Sequence, residues 1–308
     1  MHEGSRRAII AAFAANLAIA IAKFVAFFFT GAASLLAEGV HSVADTGNQA
    51  LLFLGSALGR RAPTEEHPFG FGRERYFWAF VVALVLFSVG SLFAIREGVV
   101  KIRSPHAIES PLWALAVLGV SIVLETFSFV TAQREANKVR RGESWLAFIR
   151  HTKNPELPVV LLEDLGALIG LGFALVGVGL ALWTGDSRFD AAGSIAIGAL
   201  LGGIAIVLSV EMKSLLIGEA ASPADVKKIR AAMESAPNVA RVIHLRTMHL
   251  GPDDLLVASK IAFDPKLDFA SLAQAIDETE RRVRAVTPAA RLIFLEPDVD
   301  RGPAGPTV

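Results

Sequence analysis

The sequence predicts an α-helical membrane protein, six apolar spans followed by a small soluble α+β domain, on three observations. The chain has 308 residues, 53% of them hydrophobic, with a mean hydropathy of +0.50. Its long apolar runs lie before residue 218, and beyond that point charged and polar residues are mixed at soluble-protein density. Two of the apolar runs are interrupted by ionisable residues, Glu38, His41 and Asp45 in one and Glu163 and Asp164 in the other. A charge at mid-bilayer costs about 2.5–3.5 kcal/mol and marks a cavity or an ion pathway.

A crossing takes about 20 apolar residues. Six segments are long enough, near 8–29, 32–58, 76–101, 111–132, 157–183 and 187–213. The first is too long for the apolar core of a signal peptide and no A-x-A-like site follows it, so it is expected to be retained. Lys23 in this span is expected to reach the outer interface with its long stem. The second and fifth carry the acids. Glu125 in the fourth could pair only poorly with Arg134, two to three turns away, and the role open to it is to support a metal ligand from behind. Gly166 and Gly170, and Ser194, Gly198 and Gly202, recur at spacings that let helices approach closely.

Arginine and lysine set the orientation. Arg6, Arg7, Arg60, Arg61, Arg73, Arg75, Arg134, Lys138, Arg140, Arg141, Arg150 and Lys153 fall on one side, against Arg96, Lys101, Arg103 and Arg188 on the other. This bias predicts both termini in the cytoplasm, in a membrane expected to be the bacterial inner one.

After residue 217 the pattern is helix, strand, strand, helix, strand. Ser222 and Pro223 open a helix. Val239–Leu250 and Leu255–Phe263 read as strands around a Gly251-Pro252-Asp253-Asp254 turn, a helical stripe lies within 269–286, and Arg291–Glu296 is a short last strand. The expected divisions are 1–217, 218–300 as an αββαβ, ferredoxin-like domain, and a disordered Gly/Pro-rich tail at 301–308. His106, His151 and His249 read as loop or surface residues.

The composition excludes several functions. The 30 basic and 30 acidic residues balance, which argues against nucleic acid, and the absence of cysteine removes disulfides, thiolate metal sites and cysteine nucleophiles. Glu38, His41 and Asp45 share one helix face. His41 and Asp45 offer a nitrogen and an oxygen one turn apart, an edge suited to a tetrahedral divalent metal. Glu163 and Asp164 are adjacent and point about 100° apart, from the α-helical repeat of 3.6 residues per turn, so one of them is expected to face the site. A transporter, a non-transporting membrane metal sensor and, more weakly, a hydrolytic metal enzyme remain open on these residues alone.

The motifs narrow this. The stretch from Asn16 through Lys23, Thr30-Gly31, Ser34, Ala37-Glu38 and His41-Ser42 to Asp45 resembles the first two helices of the cation diffusion facilitator family. Glu66-His67-Pro68-Phe69-Gly70-Phe71-Gly72-Arg73 resembles the loop that follows, and Val242-Ile243-His244-Leu245-Arg246 the opening strand of the family's cytoplasmic domain. Leu161-Leu162-Glu163-Asp164 is similar to a branch that includes a mitochondrial zinc transporter. The resemblance spans about residues 8–297. It implies a homodimeric proton-coupled antiporter, not an enzyme, that exports a divalent metal, Zn2+ first and Mn2+, Fe2+ or Co2+ as alternatives. His41, Asp45, Glu163 and Asp164 are its implied metal ligands, and Glu38, His67 and His244 lesser candidates.

The departures from that pattern are specific. Val160 stands where the family's fifth-helix histidine is usual, and Glu163 is the candidate replacement. Phe71 and Thr64 occupy ligand positions in the loop, and Lys260 and Phe294 do so in the tail, leaving His244 and Glu296. A lysine cation opposes a metal site, so the soluble domain is expected to have lost its metals.

Overall fold

The structure, a computed structural model, describes residues 3–105, 108, 111–140 and 142–299, with side chains outside 3–16, 85–87 and 111. The tail at 301–308, His106 and Arg141 lie outside the described residues. The chain forms two compact units, 1–57 with 75–213, and 58–74 with 214–308.

The first unit is helical. It comprises α1 (Glu3–Thr30), α2 (Ala33–Leu58), α3 (Glu74–Val81), a π-helical turn at Val82–Leu86, α4 (Phe87–Arg103), α5 (Pro111–Arg140), α6 (Trp145–His151), α7 (Glu156–Thr184) and α8 (Arg188–Ile217). Among the described residues, four stretches are long and apolar enough to cross a membrane: Glu74–Arg103, Leu112–Arg140, Glu156–Thr184 and Arg188–Ile217. The expected membrane-type helical domain is therefore present, with four of the six spans meeting that criterion. Polar Glu38, His41, Asp45, Asn48 and Gln49 lower the hydropathy of α2, and the apolar part of α1 among the described side chains is Leu17–Thr30. Phe28, Phe127 and Trp183 are more than three-quarters exposed, as lipid-facing side chains would be.

Small residues bring helix backbones together. A Cβ on Gly198 would lie 2.6 Å from Ile95 Cγ1 and 2.7 Å from the Ser91 carbonyl oxygen, and one on Gly98 would lie 2.6 Å from the Ala191 carbonyl oxygen. Ser91 Oγ donates to the Gly198 carbonyl at 2.7 Å, and Ser194 Oγ to that of Ala94 at 2.8 Å. These contacts lock α4 to α8, the packing role that their spacing suggests. Gly166 sits against Ile204, linking α7 to α8.

The second unit contains α9 (Pro223–Glu234), β1 (Val239–Gly251), β2 (Asp254–Phe263), α10 (Phe269–Val286) and β3 (Leu292–Pro297), in the order read from the sequence. Ser222 and Asp268 cap the two helices with side-chain acceptors for the Asp225 and Ser271 amides. The hairpin pairs β1 and β2 antiparallel, and α10 carries the chain across to β3, parallel to β2. Alternate residues Val257 and Ile261 on β2 meet Ile229, Met233, Val242 and Val283 in the core. His249, expected at the surface, is buried in β1, where its amide bonds Glu219 and its Nδ1 lies 3.3 Å from the Gly251 carbonyl oxygen.

The segment 58–74 also packs here, a placement that its position between two apolar runs did not suggest. A Cβ on Gly72 would stand 2.7 Å from the Leu250 carbonyl oxygen, and the Arg73 guanidinium lies 3.4 Å from Met248 Sδ. Only a residue without a side chain fits against the β1–β2 turn at that point.

Candidate metal centre

The site is built on α2, and α2 is anchored at its first turn. The Asp190 carboxylate accepts the Ala33 amide at 2.8 Å and the Ser34 amide at 3.3 Å, and the Ser34 hydroxyl donates to it as well. An anion there satisfies orphan amides and opposes the positive end of the helix. Lys101 Nζ lies 2.8 Å from Asp190 Oδ2 and 2.7 Å from the Gly31 carbonyl oxygen, and both charged side chains are fully buried. Lys101 is thus not the loop charge that the orientation bias assumed. Asp190 has no sequence signal of its own, because an acid in the first turn of a helix is ordinary.

Just over one turn further along α2, Glu38 faces α1. Lys23 Nζ is 3.1 Å from Glu38 Oε2 and 2.8 Å from Ser42 Oγ, with no exposure for either charged side chain. The expectation that Lys23 reaches the outer interface is corrected: its ammonium finds an internal carboxylate and hydroxyl instead. Glu38 Oε1 lies where a Cβ on Gly170 would be 2.5 Å away, so the carboxylate fills the notch left by that glycine in α7.

His41 follows Glu38 on the same face, with its Nδ1 3.4 Å from Asp45 Oδ1. Asp45, Glu163, Asp164 and Glu125 line one small cavity with Ser42, Gln49 and Ile19. Both neighbouring acids of α7 therefore reach the same space, where one was expected. Glu125, left without a partner in the sequence, joins them from α5. Asp164 accepts from Ser128 Oγ at 3.1 Å, and Glu163 is hydrogen-bonded to Asn48. His41 is not among the residues lining the cavity; it adjoins it through Asp45.

Several buried oxygens here accept no hydrogen bond: Glu38 Oε1, Asp45 Oδ1, Asn48 Oδ1 and Glu163 Oε2. Leaving a buried acceptor unsatisfied costs about 1–3 kcal/mol, more when it is charged, so the cluster favours a cation. Among the described residues, however, no three His, Asp or Glu side chains stand in metal-ligating arrangement. The structure gathers the acids around one space without closing a ligand cage.

The lesser candidates are placed differently. The His67 ring stacks on Phe71, centroids 4.6 Å apart, and its amide bonds Thr64 Oγ1. In the second unit, β1 and β2 pair His244 with Lys260. Arg246 Nε donates to His244 Nε2 at 2.7 Å, and Lys260 Nζ lies 2.9 Å from Glu296 and 3.6 Å from Asp298. The Glu296 carboxylate holds the Lys260 ammonium above the usual lysine range.

Residues 9–217 match the family model described as the cation efflux transmembrane domain. The chain is 32% identical over 294 residues to the proton-coupled zinc antiporter SLC30A9, mitochondrial, of Xenopus laevis, covering 94% of this chain and 53% of that protein. It is 24% identical to the cation-efflux pump FieF of Pectobacterium atrosepticum, over 96% of this chain and 93% of that protein. With the zinc transporter ZitB of Escherichia coli it shares 25% identity over 81% and 75%. The chain spans about half the length of the antiporter relatives it matches.

Proposed function

The chain belongs to the cation efflux family, and from that membership we propose that it exchanges zinc for protons and carries the metal out of the cytoplasm. The observation that supports this most is the pair of buried oxygens that accept no hydrogen bond, Asp45 Oδ1 and Glu163 Oε2, on two helices lining one cavity with Asp164. On this reading His41 and Asp45 of α2, with Glu163 and Asp164 of α7, are the residues that ligate the cargo. α1, α2, the α3–α4 stretch, α5, α7 and α8 are the six spans, with both termini in the cytoplasm. The segment 218–300 holds a homodimer together without metal, since its ligand positions are filled by Lys260 and Phe294.

Coupling follows from the donor set. Carboxylates and imidazole ligate only when deprotonated, so metal binding releases protons. Acids crowded around one small space repel one another until a cation or protons neutralise them. One site that cannot hold both then moves metal one way and protons the other.

The test is zinc uptake into vesicles containing the full chain under an imposed pH gradient. Uptake should follow the gradient in size and sign. Uptake that ignores the gradient removes antiport, and an absence of zinc uptake in every gradient removes transport.

A further inference from the structure

The Lys23–Glu38 contact is not needed to build the cargo site, yet it sits against it. Ser42 lines the cavity beside Asp45 and also receives the Lys23 ammonium. Glu38 is three residues before His41, on the same face, about 4.5 Å along the helix axis. One of its oxygens is taken by Lys23, and the other is buried with no hydrogen bond. A buried carboxylate with an oxygen that accepts no hydrogen bond, one turn from His41 and two turns from Asp45, is itself able to ligate. What restrains it is a single lysine.

We propose that Lys23 is a specificity-determining residue, its ammonium occupying Glu38 so that this additional carboxylate stays out of the ligand shell of the cargo. The inference rests on the reading of the α2–α7 acids as the zinc path and adds to it the residue that sets the balance of donors. Zinc accepts nitrogen and oxygen in fourfold sites, whereas manganese(II) suits shells of oxygen donors. Releasing Glu38 adds one carboxylate and moves the site toward the harder ion. It also deepens binding in the loaded state, which slows release.

The experiment compares wild type, Lys23→Met, Glu38→Gln and the double variant, using zinc and manganese(II) in competition. It is read as uptake into vesicles and as metal binding by calorimetry in detergent. Lys23→Met should shift the manganese-to-zinc preference by about tenfold or more, the scale of outer-shell effects on metal affinity, and lower both the KM and the maximal rate for zinc. In the double variant the preference should return to that of wild type, because the carboxylate that Lys23 restrains is gone. Glu38→Gln alone leaves a buried cation beside the site, so it should weaken both metals by the same factor and leave their ratio unchanged.

An unchanged ratio in Lys23→Met overturns the proposal, as does a shift that persists in the double variant. If Lys23→Met does not fold, Glu38→Gln still decides: a changed ratio makes Glu38 a ligand of the native site and overturns it. Wild type that binds both metals in detergent and moves neither refutes the antiport reading alone, and the binding ratios still test Lys23.

Discussion

The α2–α7 acids and the His244–Lys260–Glu296 cluster are made of similar residues and are arranged in opposite ways. In the first, buried carboxylate oxygens of Asp45 and Glu163 go without hydrogen bonds. In the second, every one of the candidate donors meets a cation of its own chain: Arg246 on His244, Lys260 on Glu296 and Asp298. Ligand-type residues therefore point to a metal only where the protein withholds their other partners. A third cluster separates burial from partnership. Lys101 and Asp190 are as buried as the α2–α7 acids and as fully partnered as the soluble cluster.

The largest expected effect breaks the first side of the comparison. Asp45→Ala should reduce zinc uptake by about a hundredfold or more, the loss of a metal contact being at or beyond the top of the range seen for outer-shell partners. The variant should elute in detergent like wild type. Normal uptake would remove Asp45 from the site.

Next in size is Asp190→Asn, which probes burial without the cargo. Removing one partner of a buried ion pair costs about 3–5 kcal/mol, so the melting temperature should fall sharply. Lys101→Met with Asp190→Asn should recover part of that loss. If partnership marks the cargo site, the zinc-to-manganese preference of the folded fraction stays where it was; a changed preference would bring this cluster into the pathway.

The comparison can also be inverted. In an Asp45→Ala background, Lys260→His removes the resident cation and offers imidazole beside His244 and Glu296. Calorimetry should then detect zinc binding to the second unit that His244→Ala abolishes. No gain would show that Lys260 is not what keeps metal away.

The smallest effect concerns the same lysine. Because Glu296 raises the Lys260 pKa in the folded chain, the pair's contribution is fully present below lysine's ordinary range and is lost as pH rises through the raised value. Lys260→Met should therefore melt slightly below wild type at neutral pH. The difference should vanish at strongly alkaline pH and in high salt, since an exposed pair is screened.

Much of this was legible in the sequence, for physical reasons. Glu38, His41, Asp45, Glu163 and Asp164 stood out because acids are costly in apolar runs. Ser222, the 251–254 turn and the apolar run of β2 between turn residues carried the soluble fold through capping and turn-bounded apolar patterning. Partnership was not legible. Lys23 and Lys101 looked like interface or loop charges, because a lysine near the end of an apolar run has the same sequence signature whether it snorkels or pairs inward. Asp190 reaches Ser34 across 156 residues, and no local pattern encodes so distant a contact. Glu125 gained its setting only when α5 packed beside α7.

The π-helical turn at Val82–Leu86 separates two stretches with different neighbours. Before it, Trp78 packs against Gly55 of α2; after it, Ser91, Ile95 and Gly98 interlock with α8. A π turn amounts to one residue more than an α-helix needs. Its presence means that the two halves of this helix are phased independently, and that the extra residue sets the angle between them. Loss of one residue from 82–86 would close the wide turn into a regular helix and leave the Trp78 face and the α8-facing side close to their present phase. Length variation among relatives should therefore be tolerated far less between 87 and 98 than at this turn, where a change of one residue exchanges one regular helix geometry for another.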